Sequence, residues 1–169
     1  MREIYHTVRQ ANETLITKAK AGMSLADFDK VPRDIIEAAS YGEYFTHGIG
    51  HGLGLDVHEI PYFGAKAKGE LKSNMVVTDE PGIYIEGSHG IRTENLMLCR
   101  KAEKNMYGQF MRFEFVTMVP IDLDGIDTQY MTEKDVELLN NYHKKVYEKI
   151  SPYLNEEEKE WLATETGVK

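Results

Sequence analysis

The sequence holds one cysteine, Cys99, in 169 residues, so no disulfide can form within the chain and a reducing, cytoplasmic setting is the simplest expectation. No apolar run approaches the ~18 residues that a membrane span needs. The opening Met1-Arg2-Glu3-Ile4 lacks the apolar core of a signal peptide. Positive charge is scarce: 20 Lys and Arg stand against 28 Asp and Glu, a formal net charge of −8, which disfavours phosphate backbones and anionic membrane surfaces. Neither nucleic acid nor membrane is therefore expected as a partner. Low-complexity tracts, internal repeats and linkers are missing too. What is there, 41% hydrophobic and 28% charged residues, suits one globular domain able to bury roughly 70% of its unfolded surface. Cys99 closes the apolar stretch Leu96-Met97-Leu98 with no neighbour to lower its pKa, so it is expected to pack rather than react.

Ile4, Val8, Ala11, Leu15 and Ala19 recur at steps of three and four, predicting an amphipathic helix over residues 2 to 21, stopped by Gly22. Ser24 with Asp27 starts a second helix, in which Pro32 predicts a break or kink near Val31. Between residues 41 and 121 the helical period gives way to short β-rich runs punctuated by Gly and Pro, notably Met75 to Thr78, Ile91 to Leu98 and Phe113 to Val119. Thr132 and Asp135 then cap a helix with the apolar face Val136, Leu139, Tyr142, Val146 and Ile150, ended by Ser151-Pro152. A short acidic helix around Trp161 follows. The order helix, helix, sheet, helix predicts a single α+β domain over residues 1–169 rather than a βαβ series.

The chemistry concentrates between residues 47 and 59, which read His-Gly-Ile-Gly-His-Gly-Leu-Gly-Leu-Asp-Val-His-Glu. In an extended chain His47, Ile49 and His51 share one face, while glycines 48 to 54 leave the other as bare backbone that something can approach closely. His58 has the opposite parity, so it reaches the same site only through a turn or bulge between Gly52 and His58. Three imidazoles could then converge, although each alone could be an ordinary half-buried histidine. A zincin helix is excluded, because His58-Glu59 is followed by Ile60-Pro61-Tyr62, with a proline and without the second histidine of H-E-x-x-H.

Two carboxylates stand out downstream. Glu80 ends the run Met75 to Asp79 ahead of Pro81-Gly82, which delivers it to a strand end. Glu94 lies within Ile91 to Leu98 and by parity shares a face with Arg92, Leu96 and Leu98, so it needs either an ion pair with Arg92 or a metal. His51, Glu80 and Glu94 together make an N/O ligand set without thiolate, of the kind that suits Mn²⁺, Fe²⁺ or Zn²⁺.

The segments His47-Gly-Ile-Gly-His51-Gly-Leu-Gly, Val57-His58-Glu59-x-Pro61, Thr78-Asp79-Glu80-Pro81-Gly82 and Gly90-Ile91-Arg92-x-Glu94-Asn95 occur in that order, and they resemble Xaa-Pro aminopeptidase (aminopeptidase P). Phe113-Glu114 to Asp122, Asn140 to His143 and Ser151 to Leu154 are similar to that family's tail, so nearly the whole chain is covered. The resemblance implies the pita-bread fold, a curved, mostly antiparallel sheet backed by helices, and two divalent metals, commonly Mn with Zn, Co or Fe as alternatives. It also implies cleavage of peptides before a penultimate proline, and a homodimer. Residue by residue, it makes His51 a metal ligand, Glu94 a bridge between two metals, and Glu80 a ligand that also accepts a proton. His58 would steady the tetrahedral intermediate and touch substrate, His47 would contact substrate, and Arg92 would hold the hydrogen-bonded geometry.

The family pattern also calls for two aspartate ligands on strands ahead of the first helix, which are absent here; Asp27, Asp29 and Asp34 follow that helix in positions expected to be solvated. The chain therefore reads as the C-terminal portion of the catalytic domain, with the upstream strands and N-terminal domain absent, and is expected to be inactive alone. Asn74 stands where the family usually has glycine, and its tolerance of the left-handed region lets the turn survive. Two other readings remain open: a non-catalytic pita-bread module that grips peptides or proteins, and a mononuclear non-haem iron site built from two histidines and one carboxylate.

Overall fold

The stripe of apolar residues on the first helix forms the inner side of α1 (Arg2–Lys18), where Ile4, Val8, Ala11 and Leu15 are all buried. Ile4, Val8 and Leu15 each contribute roughly 1.5–3 kcal/mol on full burial, more than helix propensity supplies. In the computed structural model, which describes residues 1–20 and 22–168, α1 ends at Lys18 and Ala19 is extended. The expected end at Ala21 lies outside the described residues. Ser24 caps α2 (Leu25–Ala38) by accepting the Asp27 N–H at 2.9 Å. Of the break or kink predicted near Val31, the break does not occur, since α2 is continuous through Pro32. Pro32 supplies no N–H to the Phe28 carbonyl, but the helix buries Leu25, Phe28, Pro32 and Ile36 on one face, and that packing outweighs the lost bond.

Two compact units are present, Met1–Thr117 and Met118–Lys169. In the first, the β-rich block forms a fully antiparallel sheet of order β2-β1-β3-β6-β7. Its strands are β1 (His51–Gly52), β2 (Glu59–Tyr62), β3 (Val76–Asp79), β6 (Asn95–Asn105) and β7 (Gly108–Phe115). A separate hairpin pairs β4 (Gly82–Ile85) with β5 (His89–Arg92). The predicted strand Ile91 to Leu98 is thus two strands in two sheets, and Thr93-Glu94 is the link between them. Glu94 is therefore a corner residue, and the parity argument for its face does not apply. The predicted Phe113 to Val119 run begins earlier, at Gly108, and ends at Phe115. Asn74 adopts φ +71°, the left-handed turn expected of it. Phe28, Ile36, Ile49, Val77, Ile83, Met97 and Cys99 fill the core with no exposure. Burial pushes the Cys99 thiol up, which keeps it inert.

The second unit is helical. Thr132 and Asp135 form a full capping box at the start of α3 (Glu133–Ile150), as do Asn155 and Glu158 at α4 (Glu156–Thr166). The inner face of α3 centres on Val146 and the buried His143, whereas Val136 is exposed. His143 Nε2 accepts the Ile121 N–H at 2.9 Å. The Tyr142 hydroxyl donates to the Val119 carbonyl at 2.7 Å, so two side chains of α3 hold the segment 119–121. Among the described residues no helix is long and apolar enough to cross a membrane.

Candidate metal centre

The glycines of the run serve the protein's own backbone. A methyl group at Gly48 would collide with the Phe63 carbonyl, at Gly50 with the Thr78 carbonyl, and at Gly52 with the Ile60 carbonyl. The close approach that the bare face permits is therefore made by neighbouring chain segments. The chain bends over residues 54–58 and reverses between β1 and β2, which is the turn expected between Gly52 and His58, while the register shift of β1 lies one step earlier, between His51 and Gly52. The turn brings the His51 and His58 rings to 4.3 Å between centroids. His47 does not join them: its ring packs on Phe45 and Tyr84, and its Nε2 lies 2.9 Å from the Tyr84 hydroxyl. Two imidazoles converge, not three.

The sequence candidates His51, His58, Glu80, Arg92 and Glu94 line one cavity with Leu53, Val57, Thr78, Leu96 and Thr117. Its volume is about 560 Å³, ample for a peptide side chain or two. Glu80 follows β3 at the strand end, its backbone N–H donating to the Ile49 carbonyl at 2.9 Å. The Thr78 hydroxyl accepts the His51 N–H at 2.9 Å and donates to Glu80 Oε1 at 2.9 Å. One hydroxyl thus fixes both the strand that carries the imidazole and the carboxylate opposite. Arg92 Nη1 stands 3.4 Å from Glu80 Oε2, so the arginine partners Glu80 rather than Glu94. Its Nε donates to the Tyr84 hydroxyl at 2.6 Å.

Hydrogen-bond accounting assigns the ring protons. A carbonyl only accepts, so the contact of His51 Nδ1 with Gly52 O at 2.9 Å is an N–H donation. The neutral ring then presents the lone pair of Nε2 to Glu80 Oε1 at 3.2 Å. Two acceptors facing each other call for a cation or a proton between them, and a Nδ1–H···O=C bond is how a metal-binding histidine is usually oriented. By the same reasoning His47 donates from Nδ1 to Gly48 O at 2.7 Å and accepts the Tyr84 hydroxyl proton at Nε2. In chemistry, the His51–Glu80 pair fits a divalent cation. In number the set falls short: among the described residues no three His, Cys, Asp or Glu side chains form a group that could hold a metal ion. Glu94 borders the same cavity without completing one.

Thr78 and Tyr84 are the parts that sequence reasoning missed. Thr78 shares extended parity with Glu80, two residues on, and could have been placed on its face; nothing in the sequence points to Tyr84. Asp79, between them in sequence, is fully buried with neither carboxyl oxygen hydrogen-bonded. Burial pushes its carboxyl well above the usual carboxylate range, opposed by the Asn12 amide and reinforced by the Glu80 charge.

The sheet and the link after its hairpin thus bring two histidines and two carboxylates to the lining of one cavity. The chain belongs to metallopeptidase family M24, whose pattern matches residues 1–101, and the C-terminal region of peptidase M24 matches residues 109–168. It is 36% identical to aminopeptidase P1 of Arabidopsis thaliana, over 90% of this chain and 26% of that protein. It is likewise 36% identical to a probable Xaa-Pro aminopeptidase P of Pyrenophora teres, over 98% of this chain and 27% of that one. Among solved structures, an X-prolyl aminopeptidase from Caenorhabditis elegans, described as a cytosolic enzyme with a di-nuclear active site, superposes with a TM-score of 0.74 at 31% identity. That match covers 96% of this chain and 28% of the other. A dipeptidase from Pyrococcus horikoshii superposes at 0.58 with 39% identity, covering 68% of this chain and 30% of its own. The fold is accordingly the α+β, mostly antiparallel architecture of the pita-bread peptidases, and the chain spans little more than a quarter of the length of its aminopeptidase relatives.

Proposed function

We propose that these 169 residues are the C-terminal portion of a pita-bread catalytic domain and carry the His-Glu-Glu side of a two-metal centre that hydrolyses the peptide bond before a penultimate proline. The observation that carries this reading is the His51–Glu80 contact, an imidazole lone pair facing a carboxylate oxygen at 3.2 Å in a cavity that His58 and Glu94 also line. His51 would bind one ion and Glu94 would bridge two, while Glu80 would bind and take up a proton. His58 would steady charge developing at the scissile carbonyl and touch substrate, and His47 would contact substrate. Arg92, held by Tyr84, would keep Glu80 in place. Bound divalent metal, manganese first with zinc, cobalt or iron as alternatives, supplies Lewis acidity toward the carbonyl and toward water. The resemblance puts the remaining ligands, two aspartates, on strands ahead of α1, and we infer that the chain alone is not competent. Peptides with penultimate proline, a homodimeric assembly and a cytoplasmic setting belong to the same reading.

The test is an assay on an Xaa-Pro peptide with added Mn²⁺. The chain alone should give no turnover. Joined to the upstream aspartate-bearing strands of a family relative, it should turn over substrate, and Glu80→Gln should lower kcat by roughly 10²- to 10⁴-fold. A joined protein that folds and remains silent refutes the peptidase reading. The second reading, a non-catalytic peptide-binding module, is favoured by the lack of a three-ligand group among the described residues. It requires proline-peptide binding that persists in chelator, with no Mn²⁺-dependent rise in Tm.

A further inference from the structure

The histidine-bearing segment has almost no ladder of its own: β1 is two residues long, and residues 45–49 ahead of it belong to no strand. The Glu80 N–H bonds the Ile49 carbonyl at 2.9 Å, and two side chains one turn apart on α2, Asp29 and Arg33, hold the rest. Arg33 donates from Nη1 to the Phe45 carbonyl at 3.2 Å and from Nη2 to the His47 carbonyl at 2.8 Å. Its guanidinium lies 4.4 Å over the Phe45 ring. Asp29 Oδ1 accepts the Ile49 N–H at 2.7 Å. The two side chains are joined to each other, Nε to Oδ2 at 2.9 Å and Nη2 to Oδ1 at 3.3 Å. Asp29, expected to be solvated, is in fact 1% exposed; its neighbours Asp27 and Asp34 are surface residues occupied by Ser24 and Lys30.

The carbonyls of Phe45 and His47 and the N–H of Ile49, on alternate residues, all meet the Asp29–Arg33 pair, while the Ile49 carbonyl accepts the Glu80 N–H. The pair therefore does for this segment what a neighbouring strand would do. Register matters here more than elsewhere, because a one-residue slip turns His47 and His51 to the opposite face. A slip would carry side chains into the places of glycines 48, 50 and 52, where even a methyl group meets a backbone carbonyl, and would draw the buried Phe45 and Ile49 from the core.

The geometry points to Asp29 and Arg33 as positioning residues that set the register of the glycine–histidine segment, and through it the ring tautomer of His47 and the place of His51 opposite Glu80. By bonding the His47 carbonyl, Arg33 fixes the peptide plane from which the His47 ring reaches Gly48 O and the Tyr84 hydroxyl. The inference rests on the peptidase reading only for its functional meaning.

The test uses the 169-residue chain with ¹⁵N-labelled histidine at pH 8, reading ring-nitrogen correlations by NMR together with exchange of the Ile49 amide. In the parent chain His47 is the Nδ1–H tautomer. Arg33→Lys keeps the charge and loses the fork; it should shift His47 toward the Nε2–H form. It should also speed Ile49 exchange by roughly tenfold or more, the factor that loss of a charge-assisted hydrogen bond produces. Asp29→Asn should speed Ile49 exchange likewise, and it decides the matter on the same two readouts if Arg33→Lys does not fold. Arg100→Lys, at an ordinary surface pair, should change neither. A purely structural role would lower Tm and leave the His47 nitrogens and relative Ile49 protection unaltered, and that result overturns the proposal. Failure of the peptidase reading would appear as silence of the joined protein in the turnover assay and would leave these NMR outcomes untouched.

Discussion

Two carboxyl groups in the first unit are equally hidden and oppositely provided for. Asp29, beneath the glycine run, has a guanidinium on both oxygens and a backbone N–H besides. Asp79, at the end of β3, has no hydrogen bond to either oxygen, and burial drives it toward the protonated form. The difference teaches that burial alone does not decide what a carboxyl group does for a fold. A carboxylate that enters the interior with its cation can organise the chain around it, whereas one that enters alone sheds its charge and costs stability.

The largest effect that would break this comparison lies at Arg33. Arg33→Met keeps the length of the stem and removes the cation, leaving Asp29 buried without its partner, and should cost about 3 kcal/mol in urea unfolding at pH 7. A loss under ~1 kcal/mol would mean that Asp29 needs no counter-ion. Next comes Thr78→Val, which preserves shape but strands the His51 N–H and removes the donor to Glu80 Oε1; about 2 kcal/mol should be lost, read in the same experiment.

Asp79→Asn should act in the opposite direction. The folded-state pKa of Asp79 lies above its ordinary value near 3.8, so below pH 3.8 the proton is held in both states and the group is neutral toward stability. As the pH rises from there through the raised folded value, the unfolded chain gives up its proton first, and the parent protein loses stability. The variant has no proton to lose. It should be more stable by about 1 kcal/mol at pH 7, with the gain fading as the pH falls toward 4; thermal melts at a series of pH values read this directly. A gain that grows on acidification would show that Asp79 is held as the ion.

These contrasts also explain what could be read from the sequence. Helices were legible because their signals are local: the spacing of Ile4 to Leu15, and the capping residues Ser24 and Thr132, need no knowledge of the rest of the chain. His51 and His58 were legible as neighbours because the glycines show where the backbone can turn, and Glu80 as a strand-end residue because a proline shows where the strand must stop. Glu94 was assigned to the right cavity by resemblance and to the wrong local structure by parity, since alternation says nothing of a corner between two sheets. Asp29 was misjudged for the same kind of reason: an aspartate on a helix looks solvated until the segment it bonds, 20 residues on, is folded against it.

The smallest expected effect is the most pointed check on the contrast, because it repeats the Asp29–Arg33 chemistry in water. Arg100 on β6 and Glu114 on β7 stand 3.2 Å apart with 46% and 48% of their side chains exposed. Arg100 lies directly opposite Arg112 across the strands, and Glu114 opposite Leu98, so the carboxylate sits diagonally to the arginine it contacts. Coulomb attraction here is screened by solvent and offset by the freedom two long side chains give up. What remains is relief of the Arg100–Arg112 repulsion, itself a few tenths of a kcal/mol for like charges across a strand pair. Glu114→Gln should therefore cost no more than about 0.5 kcal/mol in low salt and approach zero at ~1 M, where the Debye length falls to roughly 3 Å. The same titration with salt should leave the cost of Arg33→Met nearly unchanged, because no ions reach a carboxylate that is 1% exposed. Equal salt dependence at the two sites would erase the distinction between a buried pair that organises the chain and a surface pair that merely decorates it.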